Sequence, residues 1–218
     1  MTYNFFCSFD IYIFDLDGTL VDSLNQIENS LNFSRQQHSL PKAPKALVFQ
    51  NLGLPIQHFF SDLDINLEEE KSLIQVFRAN LSESILRENT LFPSTISLLQ
   101  FLKKANKNIA IATGKSSDMA KSVVRNSQLH EYIDFIQGTD GFPAKPNPEV
   151  LFRCLDHFSH QNAVMIGDRI EDILAAKNAG LPAVGIAQSA HDRHVLLGAG
   201  AINAFSTIAD FYHSLSSN

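Results

Sequence analysis

Five short apolar runs recur along this chain, at Ile11–Phe14, Ile109–Ala112, Ile133–Ile136, Ala163–Ile166 and Ala183–Ile186. Each is too short for a core helix, and all but Ile133–Ile136, which Asp134 interrupts, are too uniformly apolar for a strand with one wet face. Stretches of helical character separate them. Short buried strands that alternate with helices dictate an α/β fold, with a mainly parallel sheet flanked by helices. In open sheets of that kind, ligands bind beyond the carboxyl ends of the strands. The residues that follow each run are therefore the ones to read for chemistry.

The segment from Leu24 to Asn89 breaks the alternation. It is rich in Asn, Gln, Ser, Glu and His, and no strand stands out in it. Asn66 and Glu69 form a capping-box pair that starts a helix. Leu73, Phe77, Leu81 and Ile85 then recur at i+4 and make one apolar stripe. The pattern predicts a helical insertion between the first strand and the rest of the sheet, with Pro93 marking the return.

Four groups of reactive residues sit where runs end or loops begin. Asp15 and Asp17 follow the first run, and Thr113 and Gly114 follow the second. Asp168 and Asp172 follow the fourth. Lys145 lies in Ala144-Lys145-Pro146-Asn147-Pro148, which its prolines keep out of a helix. Carboxylates brought together repel one another, and oxygen-only ligation without nearby Cys or His suits Mg²⁺. A carboxylate held beside a lysine can attack phosphorus and give an aspartyl-phosphate. An acid two residues on can protonate the leaving oxygen and then activate water. A threonine hydroxyl, loop amides and a helix starting near Ser116 can receive phosphate oxygens. Each piece alone is ordinary turn material. Their joint occurrence, each in the predicted position, favours chemistry.

The motifs resemble those of the haloacid dehalogenase superfamily over essentially the whole chain. Phe14-Asp15-Leu16-Asp17-Gly18-Thr19-Leu20-Val21-Asp22-Ser23 is similar to its first motif, and Ala112-Thr113-Gly114-Lys115 to its second. Lys145-Pro146-Asn147-Pro148 resembles the third. Ile166-Gly167-Asp168-Arg169-Ile170-Glu171-Asp172-Ile173 resembles the fourth. The resemblance implies a Rossmann-like core over residues 1–23 and 90–218 and a helical cap over residues 24–89. It implies Asp15 as nucleophile and metal ligand, and Asp17 as acid/base with its carbonyl also on Mg²⁺. Thr113 and Lys145 would hold the phosphate, with Gly18 and Gly114 in the loops that receive it. Asp168 and Asp172 would serve the metal.

Within the superfamily, dehalogenases lack an acid at the position of Asp17, so its presence implies a phosphatase or a phosphosugar mutase. Leu52-Gly53-Leu54-Pro55-Ile56 resembles a cap segment of the phosphoglycolate-phosphatase-like subgroup, which makes Gly53 and Leu54 candidate substrate contacts. Two positions depart from that subgroup: Arg169 stands where a small hydroxyl residue is usual, and Ser94 where glycine is usual. The expected activity is Mg²⁺-dependent hydrolysis of a small phosphorylated metabolite, by a monomer or homodimer. The alternative is a β-phosphoglucomutase-like transfer; a non-catalytic binding module would be expected to have lost Asp15, Asp17 or Lys145.

Composition narrows the partners. With 17 Lys and Arg against 23 Asp and Glu, the net charge is −6, and no basic cluster suits a nucleic acid. No apolar run is long enough to span a membrane, and no Lys or Arg precedes Arg35 as a signal peptide would require. The two cysteines, Cys7 and Cys154, lie far apart and read as buried thiols of a cytoplasmic protein. His191-Asp192-Arg193-His194 reads as a solvated loop or helix start, and Phe59 and Phe60 as packing within the insertion.

Overall fold

The computed structural model describes residues 5–51, 56–87, 90–158 and 162–217. In chain order the strands are β1 (Ile11–Phe14), β2 (Val21–Asp22), β3 (Thr90–Leu91), β4 (Asn108–Ala112), β5 (Phe135–Gln137), β6 (Ala163–Gly167), β7 (Ala183–Ile186) and β8 (Asn203–Phe205). The helices are α1 (Leu24–Gln37), α2 (Lys45–Asn51), α3 (Leu67–Arg87), α4 (Thr95–Lys104), α5 (Ser117–Asn126), α6 (Glu149–His157), α7 (Ile170–Asn178), α8 (Ala190–Ala199) and α9 (Ile208–Ser216).

Six strands form a parallel sheet in the order β5-β4-β1-β6-β7-β8. The chain builds outward from β1 in one direction through β4 and β5. It then returns to the other side of β1 for β6, β7 and β8. β1 is thus the switch point, flanked by Ile111 and Ile166 at the register of Phe14. A crevice opens at such a reversal because the loops on either side diverge.

Both faces of the sheet are covered, which is why its strands are apolar without alternation. Ile11, Ile13, Ala110, Ala112 and Met165 pack with Val150, Leu151 and Cys154 of α6 and Ile173 of α7. Tyr12, Phe14, Ile109, Ile111 and Ile166 pack on the other side with Leu98, Leu99 and Leu102 of α4 and Phe211 of α9. Successive residues of one strand feed opposite cores, as the pleat requires.

Three strands escaped the sequence. β2 and β3 are two residues each, and their antiparallel pairing joins Val21 to Leu91 and Asp22 to Thr90. β8 is a three-residue edge strand. The expected strand at Ile133–Ile136 begins two residues later, at Phe135. A 3-10 turn at Leu129–Glu131 precedes it, and Asp134 is occupied in binding the Ile109 amide (2.8 Å) and the Lys103 ammonium (2.6 Å).

The segment between β2 and β3 is helical, as its pattern predicts. Asn66 Oδ1 accepts the amides of Glu68 and Glu69 while Glu69 Oε2 accepts the amide of Asn66, so the capping box forms. Leu73, Phe77, Leu81 and Ile85 are all buried in the larger of the two hydrophobic clusters, each contributing about 2 kcal/mol of apolar burial. Phe59 and Phe60 pack on Phe77, so they are core residues of the insertion. Arg35 is wholly buried, and its guanidinium grips Asp62 and the Phe59 carbonyl (3.0 Å). Ser94 adopts φ +68°, the left-handed region, which accounts for glycine being usual at this position. Among the described residues, no helix is long and apolar enough to cross a membrane. α8 starts at Ala190 with Ser189 as its cap, so His191 and Asp192 belong to a helix start.

Candidate active site

The loops after β1, β4 and β6 and the loop before α6 converge beyond the switch point. Asp15 directly continues β1, its amide held by the Ile166 carbonyl at 2.8 Å. Its side chain is nearly sealed from solvent, and Lys145 Nζ donates to its Oδ1 at 3.0 Å. Burial pushes the Asp15 carboxyl up to about 6; the Lys145 charge opposes this, while Asp172 and Asp17 add to it.

Lys145 uses all three ammonium protons. Besides Asp15 it donates to Asp172 Oδ1 at 2.5 Å and to the Ala112 carbonyl at 3.0 Å. Burial would depress this ammonium, but the Asp15 and Asp172 charges outweigh it and hold it above its ordinary value. Asp172 in turn accepts the Arg169 amide at its other oxygen, 3.0 Å away. Asp172 is therefore first of all the anchor of Lys145, a role its expected place among metal ligands did not foresee.

Asp168 is half-buried and accepts the Thr19 hydroxyl at 2.6 Å. Burial pushes its carboxyl well above its ordinary value, and the Asp15 and Asp172 charges push it further. Asp15, Asp168 and Asp172 offer carboxylate oxygens within 4.8 Å of one another. Crowded, incompletely neutralised oxygen donors fit a hard divalent cation. The two loops meet so closely that a Cβ on Gly18 would lie 2.3 Å from Asp168 Oδ2. Gly18 also takes φ +83°, and its amide donates to the Val21 carbonyl at 2.9 Å. Gly18 thus shapes the turn, and its own amide is engaged inside the loop.

Asp17 is buried and lines the same cavity as Asp15. Its Oδ2 pairs with Lys115 Nζ at 2.6 Å, while its Oδ1 has no hydrogen-bond partner among the described residues. Lys115 went unassigned in the sequence because nothing local ties residue 115 to residue 17. Thr113 and Gly114 line the same cavity as Asp15 and Asp17. α5 begins at Ser117, one residue beyond expectation, and Asp140 already accepts the Ser117 amide at 3.0 Å.

The cavity encloses about 720 Å³. Its floor is Asp15, Asp17, Thr113, Gly114, Lys115 and Ser116; its roof comes from the insertion, including Ile56, Gln57, Phe77 and Arg78. Gly53 and Leu54 lie outside the described residues.

Comparison with known proteins agrees with this geometry. A family model described as haloacid dehalogenase-like hydrolase matches residues 12–186. A probable phosphatase, IndB, of Dickeya dadantii strain 3937 is 29% identical over 216 residues, covering 94% of each chain. A phosphoglycolate phosphatase of Caulobacter vibrioides is 30% identical over 180 residues, covering 78% of this chain and 76% of its own. In fold, the chain is similar to a haloacid dehalogenase-like hydrolase from Streptococcus pneumoniae, with a TM-score of 0.84 at 24% identity over 96% and 99% of the two chains. The chain belongs to the haloacid dehalogenase-like hydrolase family, within its phosphoglycolate-phosphatase-like subgroup, and is a phosphatase.

Proposed function

We propose that this phosphatase is a Mg²⁺-dependent phosphomonoesterase that works through an aspartyl-phosphate on Asp15. The observation that carries the reading is buried Asp15, held by Lys145 at 3.0 Å, beside Asp17, whose Oδ1 has no partner among the described residues. An Asp15 oxygen forms the new bond to phosphorus as the bond to the ester oxygen breaks. Asp17 gives its proton to that leaving oxygen, then takes one from the water that attacks the aspartyl-phosphate. Lys145 and the Thr113 hydroxyl face the phosphoryl oxygens, and Asp172 keeps Lys145 aimed. Asp15, Asp168 and the Asp17 carbonyl would hold Mg²⁺, with Asp172 beside them; when bound, the ion offsets negative charge on the transferring group.

Residues 24–89 act in this reading as a cap over a core of residues 1–23 and 90–218. Support comes from the β2–β3 pair, which closes the base of the insertion, and from the cavity roof, which the insertion supplies. The substrate is a small phosphorylated metabolite, such as phosphoglycolate, a sugar phosphate or a nucleotide. The protein acts on it in the cytoplasm as a monomer or homodimer, without nucleic acid or membrane. Transfer back to a sugar would call for a second phosphate clamp; Arg35 is committed to Asp62 inside the insertion, which leaves Arg78 in the cavity roof, and product analysis with a hexose 1-phosphate separates the two outcomes. The test is hydrolysis of p-nitrophenyl phosphate with and without Mg²⁺, in the wild type and in Asp15→Asn, followed by a panel of phosphorylated metabolites. Unchanged turnover in Asp15→Asn would refute the mechanism.

A further inference from the structure

Arg169 is the residue by which the fourth motif departs from its subgroup, and the structure gives its side chain a specific task. Its backbone belongs to the site: the amide donates to Asp172 Oδ2 at 3.0 Å, and Asp172 holds Lys145. Its guanidinium belongs to the insertion. Nη1 donates to the Phe49 carbonyl at 3.1 Å and Nη2 to the Gln50 carbonyl at 2.6 Å. Both carbonyls lie in the last described turn of α2. A cation near a helix carboxyl end can hydrogen-bond its last carbonyls and meets the negative end of the helix dipole. Glu171 Oε2 stands 3.6 Å from Nε and steadies the guanidinium from its own helix.

The position of this contact matters for what lies next in the chain. α2 packs chiefly on α1 and on the Ile56–Phe60 turn, both within the insertion. Ile56 and Gln57 of that turn roof the cavity. On another side, α3 meets α5, where Asn126 Nδ2 donates to the Ile85 carbonyl at 3.3 Å. The insertion is thus attached beside α5 by its long helix, and beside Asp168 through a forked pair of hydrogen bonds from Arg169.

We propose that Arg169 is a positioning residue that latches the carboxyl end of α2 to the loop carrying Asp168 and so sets the cavity roof over Asp15. The fork suits the task because two carbonyls one residue apart match the two terminal nitrogens of one planar guanidinium. A lysine supplies one point charge and holds the roof less well. The effect on turnover rests on the phosphatase reading above; the latch itself does not.

Hydrogen–deuterium exchange on the full chain, comparing wild type, Arg169→Ala and Arg169→Lys, tests the latch without requiring activity. Uptake over residues 45–51 is expected to rise several-fold in Arg169→Ala and by an intermediate amount in Arg169→Lys, with β1 and β4 still slow to exchange. With p-nitrophenyl phosphate, KM is expected to rise about tenfold in Arg169→Ala, the scale of a lost charged hydrogen-bond pair. The apparent Mg²⁺ affinity is expected to stay put. Unchanged uptake over residues 45–51 overturns the proposal whatever the kinetics; if Mg²⁺ affinity then falls, Arg169 serves the metal instead. Loss of all activity in the wild type would count against the phosphatase reading and leave the exchange result to decide the latch.

Discussion

Replacing Gly167 with alanine should disable the site through a residue that touches no substrate. Gly167 ends β6, and a Cβ added there would stand 2.3 Å from Asp172 Oδ2 and 2.4 Å from its carboxyl carbon. That is about 1.1 Å short of an ordinary 3.4 Å contact, so the Asp172 carboxylate must move by roughly this amount. It has little room to do so, because it is buried between Lys145 at 2.5 Å and the Arg169 amide at 3.0 Å. Overpacking of this kind costs about 1–3 kcal/mol in stability, which a domain of this size survives. The displacement passes to Lys145 and from it to Asp15. Misplacement of a catalytic group by about 1 Å lowers kcat/KM about 100-fold. Steady-state hydrolysis of p-nitrophenyl phosphate with Mg²⁺, beside a thermal melt, measures both effects. The route through Asp172 is tested by adding Gly167→Ala to Asp172→Gly, where the carboxylate and the Asp172 Cβ, which would stand 2.5 Å from the new methyl, are both gone. There the added methyl should cost less than about threefold in kcat/KM, because sites in contact are not additive. A full 100-fold loss in that background, or a Gly167→Ala enzyme within twofold of wild type, would refute the reasoning.

Other outcomes follow from the insertion and its hinge. Leu73→Ala removes a side chain with no exposed surface and should cost about 2–5 kcal/mol, read as a fall in the urea midpoint. Asp62 is held below its ordinary 3.8, first by its hydrogen bonds from Arg35 and then by that residue's charge, with partial burial opposing. A depressed carboxyl stabilises the fold above its unfolded value and loses that contribution as pH falls through the folded one. Asp62→Asn should therefore be less stable than wild type at neutral pH, and the gap in melting temperature should close below about pH 3.8. Ser94→Gly relieves a left-handed residue at φ +68° and should raise stability by up to about 1 kcal/mol in urea denaturation.

Much of this molecule was legible in one dimension. A strand buried on both faces must be uniformly apolar, so β1, β4, β6 and β7 announced themselves within a residue of their ends. The Asn66–Glu69 box and the Leu73 stripe were readable because capping and helical periodicity act over four residues. Three of the four candidate groups were legible for the same reason, each a local run after a strand, while Lys145 was picked out by the prolines of its loop before α6. β2, β3 and β8 were not, since two or three residues carry no period; their pairing comes from what lies alongside.

What only the tertiary structure decided is who holds whom. Strand order puts β1 between β4 and β6, which carries Lys145 to Asp15 across 130 positions and Thr19 to Asp168 across 149. It made Asp172 the anchor of Lys145, turned the Gly18 amide inward, paired Lys115 with Asp17 and sent Arg169 to the end of α2. Backbone periodicity is a short-range property and is written in neighbouring residues. The partner of a buried charge is chosen by which loops the sheet brings within about 3 Å, and that choice exists only once the strands have taken their order.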